Sequence, residues 1–302
     1  MEKVLVIGGS GFAGRHLVAE LKCKGIDVYA IEHRVALAAT EKITIVKGGI
    51  KAVDRKLIDT IRPDVVFHLA RPTFPRLMKA GRILAARYAA RLNRNLIKEL
   101  EYSINPPTLV FASGSLMYGQ SPVPATEDQP LRPISYARQY FPGEMPVLDA
   151  LQKSRISVKI IRFPWLLGLG SWFDWFYLKT MREKHAIPLF GQGDNRMEII
   201  DVKDAVKLML RYADDQGGKG VYNILSSGAI TQLDFISKLN LLTGYPVKDH
   251  RELFTGKIEK EAIEAFTSTI VLATKYPEIP AGFQYTPLHE SLKRITGKSN
   301  PF

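Results

Sequence analysis

Short apolar segments alternate with longer segments of helical spacing through the first half of the chain. Six of the apolar segments have the length and the β-branched content of strands, and their apolar residues are nearly continuous. Strands of this kind are buried on both faces, which is typical of a parallel sheet covered by helices. The predicted strands are residues 3–9, 27–32, 43–48, 64–70, 108–113 and 157–163.

Two helices are predicted between these strands, over residues 13–25 and 81–103. This order of elements predicts an α/β fold with a doubly wound parallel sheet, the Rossmann architecture. After residue 164 the elements become shorter, so we expect a first domain over 1–164 and a smaller C-terminal lobe over 165–302, with 198–225 returning to the first domain. The aromatic segment 171–181 is interpreted as core of this lobe, with a substrate-pocket lining as the alternative.

Composition and charge restrict the class of protein. The net charge of +12, from 42 basic and 30 acidic residues, favours anionic partners such as nucleotides, nucleotide sugars or nucleic acid. No apolar run is long enough to span a bilayer and the first strand begins at residue 3, so we expect a cytoplasmic protein without a membrane partner. Cys23 is the single cysteine and the six histidines lack ligand spacing, so we predict no metal site.

The segment VIGGSGFAG follows the first strand and begins the first helix. It places Gly8, Gly11 and Gly14 where glycines allow a tight turn and close approach to a pyrophosphate, whose charge the helix N-terminus favours. Glu32 ends the second strand, where an acidic side chain binds the adenosine ribose. We therefore predict dinucleotide binding with NAD as the cofactor. NADP is the alternative, because His33 and Arg34 follow and would contact its extra phosphate if Glu32 turned away.

Several ordered motifs resemble the extended short-chain dehydrogenase/reductases, of the NAD-dependent epimerase/dehydratase kind that acts on nucleotide sugars. Besides the cofactor loop they are PDVVFHLA (63–70), LVFASGSLMYG (109–119), IPLFGQGDNRMEIIDVKDAV (187–206) and GVYNI (220–224), and together they cover almost the whole chain. The resemblance implies that Arg196 binds the substrate diphosphate. It also implies that the cofactor is bound by Gly8, Gly11, Phe12, Ala13, Gly14, Glu32, Arg34, Leu69, Ala70, Arg71 and Pro164.

The resemblance also places a catalytic tyrosine in the segment PISYARQYFPGE (133–144). In the family a tyrosine and a lysine four residues later lie on one helix face. The tyrosine exchanges a proton with the substrate while hydride moves to or from the nicotinamide, and the lysine binds the nicotinamide ribose and favours the tyrosinate. Tyr136 takes the tyrosine position, and Glu144 matches the glutamate that follows eight residues later. Tyr140 stands where the family has lysine.

Other positions of the same motifs also depart from the family. The position of the catalytic Ser or Thr falls on Gly114, so Ser113 and Ser115 on either side are the candidates for polarising the reacting oxygen. Ala89 and Trp165 stand where asparagines are frequent. An unassisted tyrosine has a pKa of about 10, so loss of the lysine slows proton transfer unless another cation compensates.

Arg71 and Arg138 are the candidate cations. Arg138 is only two residues from Tyr136 and points away from it on a helix, so we favour Arg71, which follows the fourth strand. The alternative for Arg71 is a contact with a cofactor phosphate or a neighbouring carboxylate.

Three functional hypotheses follow. The first is an NAD-dependent oxidoreductase or epimerase that acts on a nucleotide sugar through an atypical active site, and the second is a catalytically silent NAD-binding sensor or scaffold. The third and weakest is an RNA-associated member, since the long helix carries a basic stripe but no aromatic platform accompanies it. The resemblance implies a homodimer through this helix, which the stripe opposes unless the partner supplies acids. The stripe consists of Arg87, Arg91, Arg94 and Lys98.

Overall fold

The computed structural model describes residues 1–33, 35–72, 78–214, 218–254, 258–276 and 283–298. The chain divides into two compact units. Unit 1 comprises Met1–Ser113, Arg138–Arg162 and Val206–Tyr222, and unit 2 comprises Gly114–Ala137, Phe163–Ala205 and Asn223–Phe302. The division into a cofactor-binding domain and a substrate-binding lobe at residue 164 stays a prediction.

Twelve strands lie within the described residues. They are β1 (Lys3–Ile7), β2 (Asp27–Glu32), β3 (Ile43–Lys47), β4 (Val65–His68), β5 (Thr108–Gly114), β6 (Val158–Phe163), β7 (Trp165–Leu167), β8 (Ile187–Leu189), β9 (Arg196–Asp201), β10 (Gly220–Asn223), β11 (Ala229–Thr231) and β12 (Val247–Asp249).

Eleven α-helices lie within the same ranges. They are α1 (Phe12–Cys23), α2 (Arg55–Ile61), α3 (Met78–Glu101), α4 (Ser135–Arg138), α5 (Phe141–Lys153), α6 (Lys179–Lys184), α7 (Val202–Asp214), α8 (Gln232–Thr243), α9 (His250–Phe254), α10 (Lys260–Thr267) and α11 (Leu288–Lys298). None of the helices in the described part of the chain has the length and apolar character needed to cross a membrane.

A seven-stranded sheet has the order β10-β6-β5-β4-β1-β2-β3. β1 pairs in parallel with β2 and β4, β2 pairs in parallel with β3, and β4 pairs in parallel with β5. All four residues of β4 are buried, as expected for strands covered on both faces. The doubly wound α/β fold is therefore confirmed. From β1 the chain adds β2 and β3 on one side and then β4 and β5 on the other, so the strand order reverses between β1 and β4. Such a reversal creates a crevice at the carboxyl ends of these strands.

Two small sheets and an aromatic core characterise unit 2. The sheets have the orders β11-β9-β7 and β12-β8. The segment 171–181 contributes Phe173, Tyr177, Leu178 and Met181 to a buried cluster, so its interpretation as core is confirmed. Trp165 stacks on Phe266 with ring centroids 5.2 Å apart. Trp165 stands where asparagine is frequent in the family, and in this chain it packs in the aromatic core of unit 2.

The helices α3 and α5 pack closely in unit 1 because small residues face each other. A Cβ added at Gly143 would lie 3.0 Å from the Cβ of Ala89, which is buried. Leu92, Leu96 and Leu100 are also buried, so one face of α3 is apolar. The four residues of the basic stripe are exposed. The long helix is thus amphipathic, with its charge directed to solvent.

Candidate functional site

Unit 1 contains a cavity of about 500 Å³ at the carboxyl ends of β1, β2, β3 and β4. In open α/β sheets, ligands bind where the strand order reverses, which is the position of this cavity. It is lined by Ile7, Gly8, Ser10, Gly11, Ile31, His33, Val35, Gly49, Ile50, Lys51, His68, Leu69, Ala70, Arg71, Pro72, Tyr88 and Leu92. The structure therefore brings five of the predicted cofactor residues around one cavity: Gly8, Gly11, Leu69, Ala70 and Arg71.

The glycine loop is packed so tightly that side chains are excluded. Gly8 has a φ of 93°, and a Cβ there would lie 2.7 Å from the backbone nitrogen of Ala70. A Cβ on Gly14 would overlap the carbonyl oxygen of Gly8. Gly11 is the N-cap of α1, and no side chain caps the helix there. The first amides of α1, from Phe12 and Ala13 onward, therefore suit a pyrophosphate.

The carboxylate of Glu32 is bound by Lys47 of the neighbouring strand β3 and by the backbone of Leu37. One carboxylate oxygen accepts a hydrogen bond from the N–H of Leu37 at 2.8 Å, and the other pairs with Lys47. The hydrogen bond from Lys47, followed by that from Leu37, lowers the pKa of Glu32. Of the described residues, Ile31 and His33 line the cavity and Glu32 between them does not. The predicted contact of Glu32 with the ribose stays a prediction, and Arg34 lies outside the described residues.

Arg71 lies over the ring of Tyr140. Its guanidinium carbon is 3.8 Å from the ring centroid, which is the geometry of a cation–π contact. Both residues belong to unit 1, and Arg71 also lines the cavity. The cation that we favoured from the sequence is therefore in contact with the residue that replaces the lysine.

The segment around Tyr136 is divided into two helices. α4 ends at Arg138 and α5 begins at Phe141, with Tyr140 as its N-cap. Pro142 explains the division, because its ring would clash with the carbonyl of Arg138 in a continuous helix and it has no N–H to donate. Tyr136 and Tyr140 therefore do not belong to one continuous helix in this chain. Tyr136 lies half-buried in α4.

Ser113 is part of a buried charged cluster. Its hydroxyl donates to Glu144 at 2.5 Å and accepts a hydrogen bond from Arg162, whose guanidinium also pairs with Glu144 at 2.5 Å. The Glu144 and Arg162 side chains are 3% and 1% exposed. Since a serine hydroxyl has one proton, Ser113 has none left to donate to a ligand in this arrangement.

A model of the NAD dependent epimerase/dehydratase family matches residues 4–224 of the chain. The chain belongs to this family. NAD is the cofactor of the family, so the predicted cofactor is confirmed, and the glycine loop described above fits its pyrophosphate.

Individual relatives are similar over most of the chain. The UDP-glucose 4-epimerase of Lactobacillus helveticus is 33% identical over 281 residues, which cover 81% of this chain and 83% of the relative. An uncharacterized UDP-glucose epimerase of Bacillus subtilis is 28% identical over 228 residues, covering 68% and 70%. The solved structure of MoeE5 in complex with UDP-glucuronic acid and NAD matches with a TM-score of 0.73 and 24% identity, over 99% of this chain and 100% of that one.

The remaining site residues that the family implies lie in unit 2. Ser115 is buried at the start of a 3₁₀ turn, and Pro164 is buried between β6 and β7. Arg196 begins β9 with an exposed side chain, and its N–H donates to the hydroxyl of Thr269 at 3.1 Å. The ligand roles of these residues stay predictions.

Asn93 is a buried residue of this site that sequence reasoning missed. Its amide nitrogen donates to the carbonyl of Gly143 at 2.7 Å, and its oxygen is 2.8 Å from Nε2 of His68. Because the carbonyl can only accept, the amide oxygen faces His68, which therefore donates through Nε2. Burial lowers the pKa of His68 to about 4, so the ring is neutral at pH 7. Within the described ranges no His, Cys, Asp and Glu cluster could hold a metal.

Proposed function

We propose that the chain is an NAD-dependent epimerase or oxidoreductase that acts on a nucleotide sugar. The observation that carries this proposal is the glycine-cradled cavity in a chain of this family. The similarity to epimerases named for UDP-glucose supports a nucleotide sugar as the substrate. The net charge of +12 favours such an anionic ligand.

The family chemistry assigns a role to each catalytic candidate. Bound NAD supplies a nicotinamide that accepts a hydride from the substrate and can return it. Tyr136 is the acid/base that takes the hydroxyl proton and gives it back. Ser115 is the better candidate for polarising the reacting oxygen, because the proton of Ser113 is donated to Glu144. Arg196 binds the substrate diphosphate.

Arg71 supplies the positive charge that lysine supplies in the family. A guanidinium stays protonated at all relevant pH values, and stacking on Tyr140 fixes its position at the cavity. A fixed positive charge favours the tyrosinate form of a catalytic tyrosine. The contact with Tyr140 supports this role, and a contact with a cofactor phosphate is the alternative.

A panel of nucleotide sugars tests the proposed function. The protein is incubated with NAD and UDP-glucose, UDP-galactose, UDP-glucuronate or dTDP-glucose, and the sugars are separated by chromatography. We expect turnover of at least one substrate. Tyr136→Phe should lower kcat at least about 100-fold, the scale of general acid/base catalysis, without changing NAD affinity. Tyr102→Phe, at an exposed tyrosine, is the control.

A double substitution tests the role of Arg71. Arg71→Ala should lower kcat at least about tenfold if the guanidinium assists proton transfer. Tyr140→Lys in the Arg71→Ala background should restore part of the loss, because it returns a cation to the family position. A lack of recovery combined with weakened NAD binding would instead assign Arg71 to a cofactor phosphate.

A catalytically silent NAD-binding protein is the second candidate. The bonding of Ser113 to Glu144 and the break between α4 and α5 favour it. NAD binding without turnover of any sugar in the panel would support this candidate over the enzyme.

A further inference from the structure

Glu32 ends β2 between two residues that line the cavity, and its carboxylate is paired with a lysine. It is the register partner of Lys47 in the parallel pairing of β2 with β3, so the two side chains meet at the same sheet edge. The Glu32 side chain is 11% exposed, and its two oxygens are engaged by Lys47 and by the N–H of Leu37. The carboxylate is therefore both fixed in position and paired with a positive charge.

The lining of the cavity is cationic. Among its described residues Lys51 and Arg71 are basic, and none is an aspartate or a glutamate. Lys51 lies 5.4 Å from the ring centroid of Tyr88, which also lines the cavity. A free carboxylate at the end of β2 selects NAD, because it binds the ribose hydroxyls and repels a phosphate on them. A carboxylate paired with lysine loses much of this repulsion.

We propose that Lys47, by holding and neutralising Glu32, allows this cavity to bind NADP as well as NAD. Lys47 is then a positioning residue that acts through Glu32. This inference rests on the cofactor binding within the proposed function and is independent of the catalytic roles of Tyr136 and Arg71.

Separate titrations of NAD and NADP into the full chain, by isothermal calorimetry, test the inference. We expect the Kd for NADP to lie within about tenfold of the Kd for NAD. Lys47→Ala releases the Glu32 carboxylate toward the ribose, so it should raise the Kd for NADP about tenfold. The Kd for NAD should stay within about twofold or fall, because the released carboxylate can accept ribose hydroxyls.

Lys42→Ala is the matched control. Lys42 pairs with Asp27 at 2.9 Å. Asp27 begins β2 and Glu32 ends it, so removal of Lys42 costs an ion pair without affecting Glu32. It should leave both Kd values within about twofold.

A Glu32→Gln background tests whether Lys47 acts through Glu32. There, Lys47→Ala should no longer weaken NADP binding. A persistent tenfold loss in this background would overturn the inference, as would binding of NAD without detectable NADP binding, which would leave the proposed function standing. Failure of both dinucleotides to bind would overturn both.

Discussion

Arg162 is a charged residue in a strand that is buried along its whole length. Its guanidinium pairs with Glu144 and donates to Ser113, and neither ionic partner has access to bulk solvent. Arg162→Met should lower the free energy of unfolding by about 3–5 kcal/mol, because it leaves the Glu144 charge buried without its cation. Urea denaturation followed by circular dichroism measures this loss.

The Glu144→Gln and Arg162→Met double variant is the control for this cluster. Because it removes both charges, it should be less destabilised than Arg162→Met alone. A loss of less than about 1 kcal/mol in Arg162→Met, the value typical of exposed pairs, would contradict a buried structural role.

Glu198 is a buried carboxyl in β9 that accepts an N–H from Leu272 at 3.2 Å. Burial raises its pKa from 4.5 to about 7. Between these pH values the unfolded chain releases the proton that the folded chain retains. The contribution of this group to stability is thus complete below about pH 4.5 and lost as the pH rises through 7, a decrease of about 3 kcal/mol in the free energy of unfolding.

Glu198→Gln isolates this titration. The amide mimics the protonated carboxyl, so the variant should be more stable than the wild type at pH 8 and show a flatter dependence of unfolding free energy on pH. Glu290→Gln, at an exposed position of α11, should leave the pH dependence unchanged. Parallel curves for Glu198→Gln and the wild type would contradict the raised pKa.

The contact between α3 and α5 explains why alanine stands at position 89. The Cβ of Ala89 faces Gly143 with no room for a longer side chain. Ala89→Asn, which introduces the residue frequent in relatives, should lower the free energy of unfolding by about 1–3 kcal/mol through overpacking. Denaturant unfolding measures the change.

Arg94→Asn on the exposed face of α3 is the control for helix propensity. It should cost less than about 1 kcal/mol. Equal losses for the two variants would show that propensity rather than packing determines the effect of asparagine at position 89.

Elements were more predictable from the sequence than the contacts between them. The buried strands were predicted within about two residues of their observed ends, because continuous apolar runs report burial on both faces. The helix break at Tyr140 was missed, although Pro142 marks it, because the resemblance suggested one helix. The pairing of Glu32 with Lys47 depends on the register of β2 against β3, which no local pattern specifies.

Part of the positive net charge of the molecule is concentrated in the basic stripe of α3. All four residues are exposed, so they contribute to the net charge of +12 that an anionic ligand meets. The predicted homodimer and the RNA hypothesis both concern this surface, and both stay predictions. An RNA affinity that falls steeply with salt would support the latter.

Cofactor binding should stabilise the whole chain against heat, because NAD binds the folded state alone. At a concentration 100-fold above its Kd, a ligand adds about 2.7 kcal/mol to the free energy of unfolding, which raises Tm by several degrees in a chain of this size. Gly14→Ala should abolish most of this shift, since the added Cβ overlaps the carbonyl of Gly8 and displaces the loop that holds the pyrophosphate.

Gly297→Ala separates this effect from a general response to alanine. A Cβ at Gly297 in α11 meets no atom within 4 Å, so this variant should keep the full shift with NAD in a thermal unfolding assay. The Tm of Gly14→Ala without NAD must be compared as well, because a strained loop lowers stability even when no ligand is present. An equal rise in Tm for both variants would mean that the loop after β1 does not bind the pyrophosphate.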